Sequence, residues 1–217
     1  MRRSLLAFFL LVPGLAHAQA ADSSRFVVLH GADTVATEQL KRTETELHGT
    51  LAFRGARTTE LYRAVLAPDQ TVPLVEVTVQ EAPASSADKA RVAQQARIIF
   101  RNDSVAIDDI SNHGLETRVL PTQSGAIPYI NLSFGLLEQA IRRAAVLGKD
   151  SVKVAFFNLS GSASQGGGAT VVGTVARFAV DSVSLDLGQV EFRLRVDSQG
   201  RLLGGGIPTQ RLSFTRH

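Results

Sequence analysis

The chain has 217 residues, 44% hydrophobic and 20% charged, with a formal net charge of +3; this is ordinary globular usage and excludes a disordered or collagen-like chain. It contains no Cys, which rules out disulfides, thiolate metal sites, a Cys nucleophile and a lipid-modified N-terminal Cys. With no Trp and two Tyr, it lacks the aromatic platforms that stack single-stranded nucleic acid.

The first segment reads as a secretory signal. Met1-Arg2-Arg3 is a positive n-region, Leu5 to Val12 is an apolar run, Pro13-Gly14 breaks it, and Ala16-His17-Ala18 is an A-x-A cleavage site. Cleavage is expected after Ala18, with Ala18-Gln19-Ala20 as second choice. The apolar run is too short to span a bilayer, and no second run of spanning length follows. This predicts a bacterial protein that is periplasmic or secreted. Residues 1–18 hold Arg2, Arg3 and no acid, so the rest of the chain carries 21 basic and 20 acidic residues. No basic surface for nucleic acid is therefore expected.

Residues 19–217 read as a single β-rich domain. Apolar residues alternate with polar ones at period two over most of it, the signal of half-buried strands. In chain order the candidates are Arg25–His30, Thr34–Arg42, Glu46–Arg54, Thr58–Leu66, Val75–Val79, Gln95–Arg101, Ser104–Ile110, Leu115–Leu120, Val152–Leu159, Val171–Val180, Val183–Leu187, Val190–Val196 and Arg211–Arg216. The cleanest alternates Val190, Phe192, Leu194 and Val196 with Glu191, Arg193 and Arg195. Short turn signals such as Gly31-Ala32-Asp33, Pro68-Asp69 and Asp181-Ser182 separate them, which makes the pairing antiparallel.

One segment breaks the pattern. Over Asn131–Leu147, Ile130, Phe134, Leu137, Ile141 and Ala144 recur at three and four, Leu136 and Ala140 widen the stripe, and Glu138, Gln139, Arg142 and Arg143 lie off it. Pro128 precedes it, Asn131 or Ser133 can cap it and Gly148 can end it. The expected architecture is mainly β. A large curved antiparallel sheet, or a half-closed or closed barrel, of about 10–13 strands carries one amphipathic helix packed on it. The hairpins near 95–110 and 175–187 share Ala-Arg, an apolar strand and Asp-Ser-Val, which reads either as a weak internal duplication or as convergence, since Asp-Ser is a good turn and Val a good strand residue.

No constellation of known chemistry emerges. There is no G-x-S-x-G elbow. Ser86-Ala87-Asp88-Lys89 matches S-x-x-K without its companion motifs. Asp108, Asp109 and His113 are near in sequence, but adjacent strand residues face opposite sides, so no metal site is expected. Gly166-Gly167-Gly168 and Gly204-Gly205-Gly206 precede no helix, so neither reads as a phosphate cradle; the second is expected to break or kink the last strand pair. Glu38, Glu60, Glu76 and Glu191 read as strand residues like any on a solvated face. No catalytic residue and no cofactor are expected.

The one unusual feature is Arg among apolar neighbours on a strand face: Arg63 with Leu61 and Val65, Arg97 with Ile99, Arg177 with Val175 and Ala179. Such an Arg can hold an anionic head group at the mouth of an apolar cavity; equally, its stem can cover a solvent-facing apolar patch. The leader, the long meander and the single helix, with the closing run Glu191 to Leu203 and its strand–Asp-x-x-Gly–strand form, resemble the exported half-barrel carriers typified by the outer-membrane lipoprotein chaperones. That resemblance implies a curved sheet around an apolar cavity and a lipid or other hydrophobic ligand. It carries over no functional residue; from the strand and helix faces themselves, Arg63, Arg97 and Arg177, with Phe134, Leu137 and Ile141 of the helix, are the expected ligand contacts. The other readings are an envelope interaction or assembly module, whose partner would be an envelope protein, and a hydrolase without a recognisable motif.

Overall fold

A computed structural model of the protein describes residues 21–217 apart from 84–88, 112, 149 and 161–167. The signal segment, the Ser86–Lys89 motif up to residue 88 and two of the glycines at 166–168 therefore lie outside the described residues.

Among the described residues, fifteen strands form one sheet. They are β1 (Asp22–His30), β2 (Asp33–Arg42), β3 (Glu46–Phe53), β4 (Thr58–Val65), β5 (Leu74–Glu81), β6 (Arg91–Phe100), β7 (Ser104–Ser111), β8 (Gly114–Pro121), β9 (Ile127–Tyr129), β10 (Ser151–Asn158), β11 (Thr170–Ala179), β12 (Ser182–Asp186), β13 (Glu191–Val196), β14 (Leu202–Ile207) and β15 (Leu212–Arg216). The order across the sheet is β8-β7-β6-β5-β4-β3-β2-β1-β15-β14-β13-β12-β11-β10-β9. Two meanders run outward from a central seam where β1 pairs antiparallel with β15. Among the described residues only β9 with β10 is parallel, because the helix α1 (Phe134–Leu147) supplies the crossover between them.

The strand total exceeds the expected 10–13 by two short elements. β9 has three residues, too few to alternate. β14 contains Gly204-Gly205-Gly206, expected to break or kink the last strand pair; its register with β13 does shift beside them, between Arg195 and Val196, but the strand is not broken. Instead these glycines let β14 lie close between its neighbours: a Cβ at Gly204 would stand 2.7 Å from the Phe214 carbonyl oxygen, and one at Gly206 2.6 Å from that of Leu212.

The sheet curls until its ends approach without pairing. Near the end of β8, Thr122 Oγ1 lies 2.9 Å from Thr170 Oγ1 at the start of β11. Phe100 of β6 packs edge-on against Phe157 of β10, centroids 5.9 Å apart. Curvature of this kind follows from strand twist accumulated over many strands.

The helix lies in the concavity. Ser133 is its N-cap, its side chain accepting from the Leu136 N–H. The predicted stripe is buried throughout, and Phe134 stacks on Phe214 at 4.0 Å and lies 5.2 Å from Phe26, seating the helix start over the seam. The predicted polar face is only partly polar in environment. Glu138 and Gln139 are buried as fully as the stripe. Glu138 accepts from the Leu202 N–H at 2.9 Å and from Arg216 at 2.8 Å and Arg142 at 3.1 Å, while Gln139 bonds Arg42 and the Gln70 carbonyl. The sheet reaches round the helix to meet these side chains, which helical periodicity alone does not register. Among the described residues no helix is long and apolar enough to cross a membrane.

Candidate functional site

On the concave face, strands β4 to β7 place every second residue inward. On β5 these are Val75, Val77 and Val79, facing Ile98, Ala96 and Gln94 of β6 in register. Ala96 and Ile98 in turn face Asp109 and Ile107 of β7. The alternation that builds the sheet thus builds an apolar floor rising to polar groups at one end.

Above that floor is a cavity of about 560 Å³, in the gap between β8 and the end of β10 that the sheet leaves unclosed. Val77, Ala96, Ile98, Ile107, Leu120 and Phe157 line its depth; Glu60, Gln94, Asp109, Arg118 and Asn131 edge it. Ligand pockets of this size and of this apolar-with-polar-edge character are common.

The polar groups differ in their ties. Asp109 is held by Gln94, whose Nε2 donates to both carboxylate oxygens at 3.0 and 2.9 Å. Arg118 pairs with Glu116 at 3.4 Å on the same strand face. Glu60 is half-buried, and burial raises its pKa above the ordinary 4.5, since desolvation disfavours the charged form; among the described residues it has no hydrogen-bond or ion-pair partner. A ligand group donating to Glu60 would satisfy it.

The residues singled out from sequence fall elsewhere. Arg63 lies on the convex face, paired with Glu46 and, at 3.0 Å, with Glu76. Arg97, between Glu76 and Asp108 in register, is also convex and exposed. Neither is at the cavity mouth. Leu61 and Val65, the apolar neighbours of Arg63, are themselves convex, so apolar flanks do not identify the inner face. Arg177 is exposed on the concave side and donates to the Val180 carbonyl at 2.8 Å. With Ile141 it borders a separate depression of about 340 Å³ beside the end of α1. Phe134 and Leu137 are buried in the core. The six residues are not brought together.

Asp108 and Asp109 do face opposite sides: Asp108 accepts from Thr117 Oγ1 at 2.9 Å on the convex face. Among the described residues no three His, Asp or Glu side chains converge as metal ligands. Glu60 and Asp109 were visible in sequence only as strand carboxylates; their place at the cavity depends on the registers of four strands.

No family model matches the chain, and no curated protein matches it. Among solved structures it is similar to a DUF1089 family protein from Pseudomonas aeruginosa, at 16% sequence identity and a TM-score of 0.56, over 79% of this chain and 89% of that one. At that identity the likeness shows a shared fold and nothing further.

Proposed function

We propose that this protein is a non-enzymatic periplasmic binder or carrier of a small hydrophobic molecule, held in the cavity between β8 and β10. The supporting observation is the cavity itself: about 560 Å³ with a Val, Ile, Leu and Phe floor, lined also by the polar side chains of Glu60, Gln94, Asp109, Arg118, Asn131, Asn158 and Ser160. Each CH2 buried there contributes about 0.8 kcal/mol. The charged groups at its edge are Glu60, Asp109 and Arg118 rather than Arg63, Arg97 and Arg177. An uncharged or amine-bearing head that donates to Glu60 therefore fits better than a free carboxylate. Export, expected from the leader, would place such a binder among envelope lipids.

The test is titration with the neutral apolar fluorophore N-phenyl-1-naphthylamine. Saturable enhancement is expected, competed more strongly by a long-chain amine than by the matching fatty acid. Ala96→Phe, which fills the floor, should abolish it without unfolding the protein. No saturable signal, or equal binding by Ala96→Phe, overturns the reading.

An envelope contact without a small ligand has a separate support. The β11–β12 hairpin carries Phe178 and Val180 at 65% and 82% exposure, an apolar tip of the kind that marks interaction sites. Loss of vesicle or envelope association in Phe178→Ser with probe binding intact would favour that reading.

A further inference from the structure

We propose that β8 is a self-complementary edge through which two copies of this chain pair antiparallel about a two-fold axis at Thr117. β8 ends the sheet on one side, and its residues from Gly114 to Val119 are all exposed. The opposite edge, β9, is three residues long with Ile127 and Pro128 buried. Natural sheets blunt free edges with charged side chains, Lys above all, with bulges or with Pro; the two charges of β8, Glu116 and Arg118, are of opposite sign and so match a second copy rather than repel it. β8 has no Lys, its register with β7 is unbroken, and its Pro121 stands at the end.

The backbone phase is fixed by the hairpin. The Thr122 N–H bonds the Asp103 carbonyl at 2.9 Å, so the even-numbered residues of β8 bond to β7. Antiparallel ladders alternate, which turns the N–H and C=O of Leu115, Thr117 and Val119 to the open side. A two-fold axis at Thr117 matches these outward residues to one another. Thr117 faces Thr117 of the second copy, and Leu115 faces Val119 of the second copy in both directions. Every outward backbone group of the stretch then finds a partner.

The side chains agree on both faces. On the convex side Leu115 and Val119, 67% and 66% exposed, meet each other across the axis, with Thr against Thr between them. On the concave side Glu116 meets Arg118 of the second copy, twice. Apolar, Thr–Thr and opposite-charge pairs are the favourable cross-strand combinations. A symmetric edge pair of this kind closes on itself and gives a dimer, not a fibre. Arg118 lines the cavity, so pairing would set Glu116 of each copy beside the cavity edge of the other.

Sedimentation velocity of the purified protein against concentration tests this. Wild type should show a reversible dimer. Thr117→Pro removes an outward N–H and no backbone bond to β7, losing besides only the exposed hydroxyl contact to Asp108, and should be monomeric with unchanged circular dichroism. Glu116→Arg and Arg118→Glu should each weaken the dimer by more than about tenfold, because each turns two attractive pairs repulsive. An equimolar mixture of the two single variants should dimerise, and the double exchange should restore self-association. A wild type that stays monomeric to about 1 mM, a dimer indifferent to Thr117→Pro, or single variants that fail to complement each other overturns the proposal.

Discussion

Tyr62 Oη donates to Glu38 Oε1 at 2.6 Å, with both side chains buried on the concave face. Tyr62 is on β4 and Glu38 on β2, so the phenol must cross β3. It crosses at Gly49, its partner in register, where there is no side chain to block it. The same carboxylate accepts from Ser133 Oγ at 3.1 Å and from the N–H groups of Phe134 and Gly135 at 2.7 and 3.2 Å. Glu38 therefore ties the first turn of the helix, with its unpaired N–H groups, to the wall of the sheet.

That burial makes stability depend on pH. Desolvation raises the Glu38 pKa from 4.5 to about 7 although its hydrogen bonds pull the other way. The folded state thus holds a proton that the unfolded chain releases. The resulting stability is fully present below about pH 4.5, falls as pH rises, and levels off above about 7. The fall should be about 3 kcal/mol. Urea denaturation of wild type minus Glu38→Gln across pH 4 to 8, taken at about one-unit steps, isolates it; an equal slope in both proteins would contradict the assignment.

Gly49→Ala should destabilise the protein because the added Cβ would fall well inside contact of the Tyr62 ring. Overpacking costs typically about 1–3 kcal/mol. The loss should shrink markedly in a Tyr62→Ala background, where the obstructing ring is gone. A double-mutant cycle by chemical denaturation reads this coupling, and additive effects would show that the ring does not occupy the space over Gly49.

Glu138→Gln should cost about 3–5 kcal/mol, since it leaves the guanidinium of Arg216 and those of Arg42 and Arg142 without their shared buried carboxylate. The midpoint of thermal unfolding checks it. Exposed pairs give the contrast: Arg54→Ala, which breaks a bond to Asp33 where both side chains are more than half exposed, should change stability by less than about 1 kcal/mol.

Phe192→Ala should cost about 3–5 kcal/mol. Phe192, Leu194 and Val196 are buried, with Glu191, Arg193 and Arg195 exposed between them. Glu191→Ala at the neighbouring position should be nearly neutral, and the pair of denaturation curves measures the facing of the strand directly.

If the leader is processed as its A-x-A site implies, the intact mass of protein recovered from a periplasmic extract should correspond to a chain beginning at Gln19. A mass for the full 217 residues would refute processing.

Much of the sheet was legible because strand alternation is a local property. Thirteen candidates correspond to observed strands within a few residues, and the β13 facing follows from the alternation of Phe192, Leu194 and Val196 with Glu191, Arg193 and Arg195. The helix was also local, given by its apolar stripe and the Ser133 cap. β9 was not legible because Ile127-Pro128-Tyr129 is too short to carry a period, and Pro128 reads equally as a preface to the helix. β14 was not, because a glycine run is ambiguous between a break and a close approach of backbones. Long-range partners were invisible altogether: nothing near Glu138 in sequence announces Arg216, and nothing near Tyr62 announces Glu38. Arg63 misled because Leu61 and Val65 are apolar residues on the outer face, whereas Arg177 does lie on the concave side, beside a different depression.

The seam between β1 and β15 bears on how the protein reaches this structure. Each arm of the sheet joins strands adjacent in sequence and can zip up hairpin by hairpin with short loop closures. The seam alone joins Phe26 to Arg216 and Val28 to Phe214, and its closure waits on the whole intervening chain. Phe26, Phe134 and Phe214 meet there, so closing the seam also completes the aromatic cluster over the helix start. Two half-sheets that form early and lock late would make that closure the slow step. Until the lock closes, each half would present bare strand flanks to whatever helper proteins accompany it.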